Sequence, residues 1–332
     1  MHFGPNGNSL FPICVARRVF FPTKKGEASP NGLYGAPNNV RKAQPVLPAT
    51  LPFVFAILWA SSYVAAKVGL ADITPYAFVA VRLTIAAAAA IVIVLALKRP
   101  WGPVRRRWPH LLIGGALVHG LALATAHAAL VSVAATPTAL VHAFHPILTA
   151  ALGVAVLGEK FRWWQWLGFA LGLAGVVLGV PHDVDFSVMM LLGLSLFGLS
   201  GGTLYLKKFA ADVPPFEATA VQLVGGALLA VALTVLFETP HVRLTPGLIA
   251  AMTWNVLFMS IGGMVIYNLM MDRYGAAKAA SGFFIVPGAS AMIAWLLIDE
   301  HLKPIALIGL AAATAGVALV WWRPRRLTER KA

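Results

Sequence analysis

The chain has 332 residues, of which 59% are hydrophobic and only 11% charged, and its mean hydropathy is +0.78. A soluble domain carries about 25% charged residues to wet its surface, so this composition excludes a water-soluble globular protein and makes lipid the solvent. The net charge of +14 does not mark a nucleic-acid binder, because the basic residues stand in short clusters between apolar runs. The single Cys14 excludes a disulfide framework or a cysteine metal cluster.

Residues 1–48 hold seven prolines, five glycines and five asparagines, with basic pairs Arg17–Arg18, Lys24–Lys25 and Arg41–Lys42. They read as a disordered cytoplasmic tail. Their apolar patch "LFPICV" is too short and interrupted for a signal-peptide core. A bilayer core of about 30 Å takes roughly 20 apolar residues per helix. Ten such segments follow: 49–70, 75–97, 109–131, 134–157, 162–180, 187–208, 214–237, 246–270, 276–298 and 303–322. The expected fold class is therefore all-α integral membrane, with ten transmembrane helices and a basic cytoplasmic C-tail at 323–332. Ten spans place both termini on one side, and 22 of the 26 Lys and Arg fall on that side. Positive charge stays cytoplasmic, so both termini are expected inside.

The second half repeats the first. At an offset of 141 residues, Pro146 meets Pro287, Glu159 meets Glu300, Gly168 meets Gly309 and Gly175 meets Gly316. At an offset of 140, Lys67 meets Lys207, Asp72 meets Asp212 and Pro75 meets Pro215. The halves are 49–180 and 187–322, with five spans each. Five is odd, so the second enters the membrane upside down. Two inverted five-helix repeats are a secondary-transporter signature, with a midplane site between them.

At this point the sequence resembles the EamA type of the drug/metabolite transporter superfamily. The residues that carry the resemblance are Trp59 and Lys67 in the first span, Pro75 and Arg82 in the second, Pro146, "LGEK" at 157–160, and "AGV" at 174–176 and again at 315–317. The match covers about 51–322; it departs at Ala60, where the family usually shows glycine, and in the long N-tail. The resemblance implies export of small metabolites, commonly amino acids or related compounds, across the inner membrane. It implies no ATP hydrolysis and no cofactor.

Arg82 is the sharpest site candidate, eight residues into its span and roughly 10 Å down. A charge at that depth must face an interior cavity or a partner. Its repeat mate is Gln222, which favours a role specific to one half. Substrate or carboxylate binding, a structural bond to helix ends, and snorkelling all stay open. His119 and His127 share a face of span three, and His142 and His145 a face of span four. No carboxylate or cysteine joins them at ligand spacing, so no metal is expected. They line a polar cavity, couple a proton near neutral pH, or bond helix to helix.

Trp59 with Ser62 and Tyr63, together with Tyr205, Tyr267, Phe283 and the pair Trp254 and Phe258, offer either a ring-lined pocket or core packing. Asn255 and Asn268 are amides in lipid, and each needs a partner. Pro146 and Pro287 delete helical hydrogen bonds at membrane depth. They are expected to bend a pair of pseudo-symmetric helices along the transport path, unless they are packing kinks. Glu159 and Glu300 directly precede helices, where a carboxylate meets the positive end of the helix dipole. None of the twelve acidic residues sits mid-span, so coupling through histidine or facilitated diffusion is as plausible as a carboxylate relay.

The resulting expectation is a secondary transporter with a small-molecule substrate, embedded in the lipid bilayer, with proton coupling and a homodimer left open. The glycines of spans five and ten suit either packing or that dimer. The alternatives are a membrane enzyme acting on a lipid-linked substrate and a non-transporting scaffold.

Overall fold

A computed structural model describes residues 50–99, 101–157, 162–180, 184–267, 269–270, 285–301 and 303–321. Glu159, Asn268, Phe283 and the two tails, 1–48 and 323–332, lie outside them. Regular structure among the described residues is helical, apart from one isolated bridge between Ile73 and Val242. Seven helices are long and apolar enough to cross a bilayer: α1 (Leu51–Gly69), α2 (Pro75–Ala96), α3 (Gly102–Ser132), α4 (Ala135–Val156), α6 (Phe186–Phe209), α7 (Pro215–Phe237) and α8 (Pro246–Tyr267). Three apolar helices are shorter: α5 (Trp163–Gly179), α9 (Val286–Ile298) and α10 (Pro304–Val320).

Proline opens many of these helices, at Pro52, Pro75, Pro103, Pro215, Pro246 and Pro287. The first turn has no intrahelical acceptor for its N–H groups, so a residue without one fits there. Helix α3 begins seven residues before the expected span, because Gly102-Pro103 starts a turn that carries Arg105, Arg106 and Arg107 out past the apolar stretch. Outward faces are bare Leu, Val and Phe, such as Val235, Leu236 and Leu297. Such surface is tolerable only against lipid.

Packing follows the repeat. Helix α1 packs on α8 and α9, as α6 packs on α3 and α4; α2 packs on α8, as α7 packs on α3. The pairs α2–α7, α4–α9 and α5–α10 map onto themselves when the halves are exchanged. The α5–α10 contact is backbone to backbone. A Cβ on Gly168 would stand 2.7 Å from the Gly316 carbonyl oxygen, and one on Gly175 would stand 2.4 Å from the Ala313 nitrogen. These glycines therefore serve contact within the chain.

Carboxylates tie the halves together at the helix ends. The Glu238 carboxylate, just after α7, accepts the backbone N–H groups of Tyr76 at 2.8 Å and Ala77 at 3.1 Å, at the start of α2. Glu300 accepts those of Ala135 at 2.9 Å and Thr136 at 3.1 Å, at the start of α4. The sequence expectation assigned Glu300 to the helix that follows it. Its carboxylate instead crosses to the other half, because α9 and α4 lie side by side and orphan N–H groups at the α4 start need acceptors. At the same end, Asp72 accepts from Arg243 Nη2 at 2.8 Å and Thr245 Oγ1 at 2.6 Å. The hydrogen bonds from Thr245 and Arg243 hold the Asp72 carboxyl below the usual carboxylate range. Lys67 donates to the carbonyls of Leu130 at 2.6 Å and Val133 at 2.7 Å, which closes the end of α3. At the opposite end of α2, Asp212 pairs with Arg106 and Arg107, both at 3.2 Å.

Candidate functional site

Two helices depart from α geometry in their middles. Helix α3 is π-helical over Ala116–Leu121 and α8 over Trp254–Gly263. They are the corresponding third helices of the two halves. A π-turn leaves the i→i+4 ladder and recurs at functional sites. Asn255 and Ser260 both lie in the second of these segments.

Arg82, on α2, meets the second of these segments. It is 5% exposed, and its Nε donates to Ser260 Oγ at 3.0 Å. Its Nη1 and Nη2 make no hydrogen bond to a described residue. His119, in the π-turn of α3, packs against α7, where a Cβ on Gly226 would stand 2.7 Å from its own Cβ. His127 donates from Nδ1 to the Leu123 carbonyl at 2.7 Å, stacks on Phe78 at 5.4 Å, and leaves Nε2 buried and unpaired.

A second line of bonds runs through α1, α4 and α6. Trp59 Nε1 donates to Tyr63 Oη at 3.2 Å, and Tyr63 stands 2.5 Å from His142 Nδ1. His142 Nε2 stands 2.6 Å from Ser195 Oγ, which donates to the Ala122 carbonyl at 2.6 Å. Ser195 therefore accepts from His142 Nε2–H, which puts a proton on that nitrogen.

The remaining candidates separate. Ser62 donates to the Trp59 carbonyl of its own helix at 2.7 Å, so its hydroxyl is used locally. His145 Nδ1 meets Ser200 and Thr149, each at 3.1 Å, one turn beyond His142. Tyr205 is paired at 2.8 Å with His110 and belongs to a different cluster. Asn255 is fully buried; its amide donates to the Ala251 carbonyl at 3.1 Å and its Oδ1 is unpaired. Trp254 crosses to Ser61 at 3.0 Å and stacks on Phe258 at 4.6 Å, while Phe258 itself faces outward. Phe55 joins Trp59 and Tyr267. Pro146 is the second residue of the helical stretch His145–Leu157, and a turn at Phe144 separates it from Ala135–Ala143. The expected break is present in α4. Pro287 takes the same second place in α9, but the chain before it lies outside the described residues.

Sequence reasoning missed Ser260, Ser195 and Ser61, since buried serines look like any small residue in an Ala- and Gly-rich helix. It also placed Glu217 at a span end, where a carboxylate reaches water. Glu217 is instead 1% exposed, with both oxygens unpaired among the described residues.

The model of the EamA-like transporter family matches residues 47–180 and, a second time, 186–322. The chain belongs to the EamA-like transporter family. This EamA-like chain is 24% identical over 273 residues to a probable terminal-alkyne amino-acid exporter of Streptantibioticus cattleyicolor, covering 80% of this chain and 90% of that one. It is 24% identical over 295 residues to a probable amino-acid metabolite efflux pump of Escherichia coli, covering 80% and 92%. An uncharacterized inner membrane transporter of the same species is also 24% identical, over 276 residues, covering 81% and 88%. A solved crystal structure superposes with a TM-score of 0.61 at 20% identity, over 81% of this EamA-like chain and 95% of that one. At that identity it speaks for the fold alone.

Proposed function

We propose that this EamA-like protein is a ten-span secondary transporter, built as two inverted repeats, that exports small metabolites related to amino acids by alternating access. Arg82, Tyr63, His119, His142 and Gln222 line the path. One observation carries the reading: polar bonds in the middle of the bundle cross from one half to the other. Arg82 meets Ser260, His142 meets Ser195, and Trp254 meets Ser61. A site built across the repeat boundary changes shape when the halves rock. The exchange-symmetric packing supports the inversion, and the names of the relatives support inner-membrane export of amino-acid compounds. The charge bias supports cytoplasmic termini. His142, between Tyr63 and Ser195, is the group through which a proton would couple.

The test is solute counterflow in proteoliposomes, joined to a screen of expressing cells for resistance to toxic amino acids and analogues. Transport predicts exchange above protein-free vesicles, and loss of resistance in Arg82→Ala at unchanged membrane levels. An enzyme or a scaffold gives no counterflow. Resistance that survives Arg82→Ala removes Arg82 from the path.

A further inference from the structure

Resting on the transport reading above, we infer that the Arg82 site takes monoanionic carboxylates without a free ammonium group, of the N-acylated amino-acid kind, in preference to zwitterionic amino acids. The argument is one of charge balance. A guanidinium is permanently charged and presents a fork that matches a carboxylate. In Arg82 the Nε is engaged by a neutral serine, and the two terminal nitrogens have no hydrogen-bond partner among the described residues. Among the described residues no carboxylate pairs with it. Asp72, Asp212, Glu238 and Glu300 are bound at helix ends, Asp185 and Asp299 are exposed, and Glu217 is bonded to nothing.

Ser260 bonds Arg82, and Phe78, stacked on His127, lies one helical turn earlier on α2. None of these side chains offers a negative charge. A bound carboxylate would complete the ion pair and leave the cluster neutral. A zwitterion would satisfy Arg82 equally well but would strand its ammonium in a buried site where no described residue supplies an anion to meet it. An unpaired buried charge is strongly disfavoured. A phosphate dianion would exceed the single cation for the same reason.

The test uses the full chain in proteoliposomes and one scaffold in four charge states. These are N-acetylphenylalanine (monoanion), phenylalanine (zwitterion), phenylalanine amide (cation) and N-acetylphenylalanine amide (neutral). Counterflow above protein-free vesicles is expected to be at least tenfold faster for the monoanion than for the other three. Arg82→Gln should abolish that preference, and Arg82→Lys should retain part of it. Both variants are to be monodisperse by size exclusion before they are scored. Equal or faster exchange of phenylalanine overturns the charge assignment and leaves the transport reading standing. A monoanion preference that persists in Arg82→Gln overturns the assignment to this residue. Absence of exchange for every compound, and for the wider amino-acid panel, sinks both readings together.

Discussion

Removing the Glu300 carboxylate tests how the two halves are held. Its oxygens accept two backbone N–H groups, from Ala135 and Thr136 at 2.9 and 3.1 Å, and those donors have no intrahelical acceptor. Losing a side-chain cap costs about 0.5–2 kcal/mol, and the loss of a negative charge from a helix start adds about 0.3–1 kcal/mol. Glu300 is only partly buried, so the lower half of the combined range applies. Glu300→Ala should then cost about 1–2 kcal/mol and Glu300→Gln, which keeps one acceptor, about half of that. For a chain of this size, 1 kcal/mol moves the melting temperature by roughly 2–4 °C, which is measurable in detergent by intrinsic fluorescence. Hydrogen exchange locates the effect. Amides at the start of α4 should exchange about tenfold faster in Glu300→Ala for each ~1.4 kcal/mol lost, while those at the start of α10 stay unchanged. Faster exchange at α10 with α4 unaffected would refute the cross-half cap and restore the assignment of Glu300 to its own following helix.

Asp72 predicts an acid-sensitive link between the two loops it joins. Its folded-state carboxyl is held low by Thr245 and Arg243. That stability is fully present above the unfolded value of about 3.9 and is lost as pH falls through the lower folded value. A melting-temperature scan downward from about pH 5 should therefore show a decline that Asp72→Asn flattens, with the variant already less stable at neutral pH. Gly175→Leu should destabilise by at least the ~1–3 kcal/mol of ordinary overpacking, because its Cβ alone lands 2.4 Å from backbone in α10. Gly193→Ala, with nothing within 4 Å, should be neutral or slightly stabilising in the same melt. Ser195→Ala leaves His142 Nε2–H unpaired in a buried site and removes the extra donor to the Ala122 carbonyl. It should cost about 1–3 kcal/mol by thermal melt and lower counterflow in the transport assay.

The helices were legible because a bilayer imposes one length and one composition on every span, and the repeat was legible because its prolines, glycines and carboxylates recur at a fixed offset. Arg82 was legible for a related reason: a charge in lipid stands out against any background. Its partner was not. Ser260 lies in an apolar stretch whose π-turn has no mark in residue order, since π and α segments share the same composition. The capping target of Glu300 was hidden for a different reason. A carboxylate after one helix can serve any helix start nearby, and only the lateral order of α9 and α4 decides which. Tyr205 shows the converse limit, because its pairing with His110 could not be told from membership of the central cluster without knowing how α3 and α6 cross.

The repeat is symmetric in its packing and asymmetric in its bonds, and that difference bears on the transport cycle proposed above. At the end where α2 and α4 begin, Glu238 and Glu300 cap helix starts and Asp72 is held by both Arg243 and Thr245. At the opposite end of α2, the residue that corresponds to Glu238 is Lys98, which has no acceptor to offer the α7 start. The pair that corresponds to Asp72 and Arg243 is Asp212 with Arg106 and Arg107, and there the Asp212 and Arg106 side chains are 42% and 76% exposed. Exposed pairs contribute only about 0–1 kcal/mol, whereas carboxylates on orphan backbone donors are worth more. Two halves that rock about a shared centre would therefore not find their two end states equal.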